Sequence, residues 1–123
     1  MSSYIFGSVP SKCQAAQDLV RQYSKNREAF IQKVIKIAAS ATESHISEVA
    51  LGMGKTELRV DVETVVKKNE EIKKLQEELK LKKFKLINDE RKLVVQALVH
   101  HFEDAGFKVK SNNHNVVDIS WKE

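Results

Sequence analysis

Cysteine, proline, glycine and aromatic side chains are all scarce in this chain of 123 residues. The single cysteine, Cys13, cannot close an internal disulfide and has no second thiol to share a metal with. A reduced, cytoplasmic setting is the expectation. One proline and four glycines leave few obligatory breaks, a composition that favours long helices. Aromatics are 7% of residues, which is thin for an enzyme pocket. No apolar run approaches the roughly 20 residues needed to cross a bilayer, so no membrane partner is expected. The opening MSSYIFGSVPSK has neither a basic n-region nor a long apolar h-region, and no secretory signal is read there.

What the chain has is charge and aliphatic carbon. Charged residues are 31% and hydrophobic residues 41%, with a net charge of +4. Residues 67–92 hold ten of the 21 basic and six of the 17 acidic residues, so the rest of the chain is balanced and all the excess lies on one segment.

Hydrophobic spacing divides the chain. Tyr4-Ile5-Phe6 reads as an edge strand or an apolar arm. Ser8 and Pro10 mark a helix start. Residues 10–44 form a helical block: Ala15, Ala16, Leu19, Val20 and Tyr23 recur at helical spacing, and so do Phe30, Ile31, Val34, Ile35, Ala38 and Ala41. Ser24-Lys25-Asn26 is the expected break within the block. His45 to Met53 is expected as a transition closed by Gly52 and Gly54. Across 56–63, Leu58, Val60 and Val62 alternate with charged residues as in a half-buried strand.

Thr64 to Ala105 contains no glycine or proline. Val65, Ile72, Leu79, Leu86 and Leu93 repeat every seven residues, as in a coiled-coil seam, although Lys68, Lys82 and Asp89 make poor partners for it. A single helix over 64–105 would be about 60 Å long and would imply a dimer. A helical hairpin broken near Asn88 is the alternative. The lack of a strong breaker favours the continuous form. The helix ends at Gly106, after the apolar stretch Leu93 to Phe102. Phe107 to Trp121 then reads as a β-hairpin around Ser111–Asn115. The fold class is α+β in one domain, 1–123: mostly helical, with a long, partly coiled-coil helix and a small antiparallel sheet made of the C-terminal hairpin plus one central strand, 57–62.

Chemistry-bearing motifs are few. Gly52-Met53-Gly54-Lys55-Thr56 resembles the tail of a phosphate-binding loop. The first glycine of that loop should fall at 49, which is Val49, and the order helix–turn–strand is reversed. Lys55, Thr56 and Arg59 remain candidates to hold an anion at a glycine turn. Lys80, Lys82, Lys83 and Lys85 are candidates to contact nucleic acid or a small nucleotide signal. The four histidines are not spaced as a metal pair: His100 and His101 are adjacent, one expected to pack and one to meet solvent, and His114 lies in a turn. Cys13 has no base beside it and reads as a small packed residue. No catalytic constellation and no cofactor are expected.

The ending FEDAGFKVKSNNHNVVDISWKE resembles the C-terminus of small accessory proteins of tailed bacteriophages, which finish with a helix, a glycine–aromatic pair, a hairpin and a strand closing on Ile-Ser-Trp. The match spans roughly residues 90–121 and carries over no site residues. It implies a non-enzymatic interaction protein that works in the host cytoplasm and blocks a host factor, defence factors included. With the seven-residue repeat, the expected partners are a second copy of the chain and a host protein, with an anionic ligand as the alternative.

Overall fold

The computed structural model describes residues 9–82, 86–112 and 115–123. The order of elements is α1 (Val9–Met53), β1 (Glu57–Asp61), α2 (Val62–Lys68), α3 (Glu70–Glu78), α4 (Asn88–Asp104), β2 (Lys108–Asn112) and β3 (Val116–Ser120). The fold is α+β and predominantly helical, with a three-stranded antiparallel sheet. The Tyr4–Phe6 arm, Ser8 of the helix start, Lys83, Phe84, Lys85 and His114 lie outside the described residues.

The long helix is α1, of 45 residues, and not the 64–105 segment. Two expected interruptions are absent for a local reason. Ser24 Oγ donates back to the Val20 carbonyl at 3.2 Å, and Gln22 Nε2 donates to Asn26 Oδ1 at 2.8 Å. These polar side chains are satisfied within the helix and do not cap a new one. His45 to Met53 also stays helical, carried by buried Ile46 and Val49. The helix ends at Gly54, whose φ of +65 reverses the chain.

The 64–105 segment is broken twice, without glycine or proline. Asn69 Oδ1 accepts from Ile72 N at 3.1 Å, ending α2 and capping α3. The second break closes α3. Leu81 N donates to the Gln76 carbonyl at 3.0 Å and Lys80 N to the Glu77 carbonyl at 3.1 Å, a Schellman motif with Lys80 in the left-handed region at φ 55. Asn88 opens α4, the start of the second helix in the alternative reading, but the segment forms three helices and not the two-helix hairpin of that reading. The seven-residue repeat is not a seam along one helix. Its members are spread over α2, α3, the connection 79–87 and α4. Val65, Ile72, Leu79 and Leu86 turn to one core, while Leu93 is 54% exposed.

The sheet order is β1-β3-β2. Leu58 pairs with Ile119 and Val60 with Val117, and Val109 pairs with Ile119 on the other side. These residues face the helices. The strand order makes β3 the middle strand, and β1, expected to be the central one, is an edge. The core joins Phe30, Val34 and Ala38 of α1, Ile72 and Leu75 of α3, Val94, Leu98 and Phe102 of α4, and Val117 and Ile119 of β3. The second Schellman motif closes α4. Phe107 N donates to the Phe102 carbonyl at 2.9 Å, and Gly106 has φ +97. The Phe102 and Phe107 rings meet edge to face at 5.6 Å, the apolar contact that accompanies such a cap.

Candidate functional site

One apolar line runs the whole length of α1, but the body covers only part of it. Residues three and four apart share a helix face, so Ala16, Leu19, Val20, Tyr23, Arg27, Phe30, Ile31 and Val34 lie along one stripe. From Arg27 onward the stripe is buried: Phe30 and Val34 are fully covered and Ile31 is 5% exposed. Before Arg27 its large side chains are bare, although Ala15 on its flank is only 5% exposed. Leu19 is 52% exposed, Val20 64% and Tyr23 51%. Residues 12–26 therefore project past the packed body by about four turns of helix, roughly 22 Å. Asp18 and Arg21, 2.6 Å apart, support that projection on its surface.

Where the projection meets the body, α1 and the start of α4 enclose an open groove of 620 Å³. Tyr23, Arg27 and Ile31 line it from α1, and Ile87, Glu90 and Leu93 from the other side. Ile87 is 63% exposed, so large apolar side chains crowd both rims. The Arg27–Glu90 pair is set deep between those rims. Arg27 Nε donates to Glu90 Oε2 at 2.6 Å and its NH2 to Oε1 at 2.8 Å, a bidentate pair with side chains only 11% and 12% exposed. The Arg27 guanidinium also lies 5.0 Å from the Phe30 ring centroid.

Glu90 has a second task. Ile87, at the N-cap of α4, has no side-chain acceptor, and Glu90 Oε1 accepts from Ile87 N at 2.9 Å, closing half of a capping box. Burial pushes the Glu90 carboxyl up. The Arg27 hydrogen bond, the Ile87 N–H and the Arg27 charge together outweigh that and hold it below its ordinary value. The Glu90 hydrogen bond in turn raises Arg27 against its own desolvation.

The sequence candidates for an anion fall elsewhere. At the end of α1, Gly54 N donates to the Ala50 carbonyl and Lys55 N to the Val49 carbonyl, both at 3.1 Å. The N–H groups of the glycine turn thus close the helix, and a helix C-terminus is the negative end of its dipole. The Thr56 carbonyl accepts from Trp121 N at 2.9 Å. Arg59 Nε donates to Asp118 Oδ1 at 2.8 Å, which raises Arg59. Lys80 and Lys82 are exposed in the connection that leads to Ile87, beside Arg27. Lys55 lies about 40 Å further along α1. The structure does not bring Lys55 together with Lys80 and Lys82, the two lysines of the second group that it describes.

Sequence reasoning missed the outer face of the sheet, where Arg59, Lys108 and Lys110 share a depression of 550 Å³ with Glu57 and Asp118. The strand alternation that marked Arg59 as outward was the available signal, but the register that sets it and Lys110 on either side of Asp118 was not.

Cys13 and both His100 and His101 are exposed, contrary to the packed positions expected for Cys13 and one histidine. His101 Nε2 lies 2.6 Å from Glu43 Oε1 and ties α4 to α1. Among the described residues, no three His, Cys, Asp or Glu side chains cluster in a way that could hold a metal ion. Nor is any helix of the described chain long and apolar enough to cross a membrane. No family model, curated protein or solved structure matches this chain.

Proposed function

We propose that this chain is a non-enzymatic interaction protein that docks another polypeptide on the bare stripe of α1 and the adjoining groove. The observation that carries the reading is the continuity of Leu19, Val20 and Tyr23, each at least half exposed, with Ile87 and Leu93 across a groove of 620 Å³. The largest contiguous apolar patch on a protein of this kind is often functional, and a patch with a polar rim marks a protein contact. The geometry suits a helix laid in a groove, recognised by side chains at three- and four-residue spacing. The phage-type ending extends the proposal to a role in the host cytoplasm, in which the protein binds and blocks a host factor, one of defence included.

The test compares tagged wild type with Leu19→Glu/Val20→Glu, purified from the cell in which the chain acts. Both side chains are on the projecting part of α1, so melting is expected to be unchanged. A stoichiometric partner retained by the wild type and lost by the variant supports the reading. Equal recovery of every partner by both proteins contradicts it.

A second reading, an anionic ligand, is favoured by the exposure of Lys80 and Lys82 and by Arg59, Lys108 and Lys110 on the sheet face. It requires stabilisation by a nucleotide in a thermal-shift series, or nucleic-acid binding that weakens steeply with salt.

A further inference from the structure

We infer that the occupant of the α1 stripe is a second copy of this chain, its own α1 laid antiparallel against the first. The inference rests on the docking reading above and adds the partner and its orientation. In a symmetric pair the same patch must serve both sides, so it has to be complementary to itself. The stripe from Ala16 to Tyr23 meets that condition: it has no charged residue along it, so two copies juxtapose no like charges.

The body decides the direction. From Phe30 onward, the face of α1 that carries the stripe is covered by α4 and the core. A parallel partner in register would bring its own body to the same height on the same face, and the two bodies would collide. An antiparallel partner avoids this. Its body lies beyond the first copy's N-terminal end, and only the two projections overlap. With Leu19 of each copy opposite Leu19 of the other, the overlap runs over residues 12–26 and leaves the covered face beyond Arg27 undisturbed. Ile87 and Leu93 at the end of each body then abut the front turns of the partner helix.

The area sets the strength. The five exposed residues Leu19, Val20, Tyr23, Ile87 and Leu93 are each between 51% and 64% exposed. At about 100 Å² apiece they offer roughly 1,000 Å² over two copies, at the lower edge of specific interfaces. An interface of this size lies below the range of obligate dimers, so the pair is reversible and comes apart on dilution.

The single native cysteine gives the test without engineering. Cys13 is exposed, and in the antiparallel pair it lies about six residues from the crossing point. Two nitroxides attached to it would sit about 20 Å apart, from 1.5 Å per residue along α1 and 8–10 Å between helix axes. A parallel pair would hold them at about 10 Å. Electron–electron distance measurement on the full labelled chain, over a dilution series, is expected to give a concentration-dependent distance in the longer range. Leu19→Glu/Val20→Glu should abolish it while the thermal melt of the body, set by the buried core, stays unchanged. A short distance overturns the orientation. The absence of any intermolecular distance at about 100 µM, together with a light-scattering mass of 14.0 kDa, overturns self-association. In that case the tagged-protein comparison still decides the docking reading: a foreign partner lost by the variant leaves docking standing, and no partner at all removes both.

Discussion

Truncating Glu90 to alanine should be among the most damaging single changes outside the apolar core. The substitution removes two hydrogen bonds from Arg27, at 2.6 and 2.8 Å, and the acceptor for Ile87 N at 2.9 Å. It leaves the Arg27 guanidinium, in a side chain 11% exposed, without this carboxylate. Breaking a buried ion pair from one side costs about 3–5 kcal/mol. The pair borders an open groove, which lowers that figure, while the lost cap of α4 adds to it, so about 2–4 kcal/mol is expected. Urea unfolding followed by helical circular dichroism should show the midpoint falling by about 1–2 M with the slope unchanged. The companion variant Arg27→Met/Glu90→Leu replaces both charges with carbon and should lie within about 1–2 kcal/mol of wild type, the residue being mostly the cap. A loss under about 0.5 kcal/mol for Glu90→Ala would refute the reasoning, as would a double variant worse than either single one.

Three further outcomes follow from the same geometry. Lys80 sits at φ 55, where a Cβ is unfavourable, and Lys80→Gly should raise stability by about 0.5–1 kcal/mol in the same urea assay. Asn69 caps α3 through Ile72 N, and Asn69→Ala should cost about 1 kcal/mol, whereas Asn69→Asp should cost little. Glu90 is held below its ordinary 4.5, and the Thr64 N–H foremost holds Asp61 below its ordinary 3.8. A carboxylate with a depressed folded value contributes stability that is complete above its unfolded value and lost as pH falls through the folded one. Thermal melts should therefore be flat with respect to these two groups above about pH 5 and fall on acidification below it. In Glu90→Gln the Glu90 share of that fall should be missing.

Legibility in the sequence tracked how local each cause was. The hairpin was readable because Phe107 to Trp121 alternates around strong turn residues, and the structure places β2 and β3 inside those limits. Its pairing with the 57–62 strand followed from a matching alternation. That β1 would be an edge and β3 the middle strand was not readable, since strand order depends on where the helices pack. The break at Asn69 left a signal that was passed over, an Asn followed by Glu70 and Glu71 before Ile72. The break at Lys80 left none, because a lysine in the left-handed region has no sequence mark. The repeat of Val65, Ile72, Leu79, Leu86 and Leu93 misled for a related reason: several short elements folded on one core can give the same period as one long seam. Most of the candidate site was visible as apolar spacing in 15–23, but its exposure was not. Exposure depends on where the body stops, and α4 begins 57 residues after Ile31 with its capping Glu90 on Arg27.

The central claim is that the front of α1 is a continuous helix whose bare stripe is a docking face. Amide hydrogen exchange resolved along α1, in wild type and in Leu19→Glu/Val20→Glu at high protein concentration, tests it most directly. The account predicts strong protection over residues 27–49 in both proteins. Over residues 12–26 it predicts protection that falls on dilution and is lost in the variant, since an unpacked helix of that length is marginal in water. Equal protection of residues 12–26 in both proteins at every concentration would contradict the docking face, and rapid exchange there in the wild type at high concentration would contradict the docked helix.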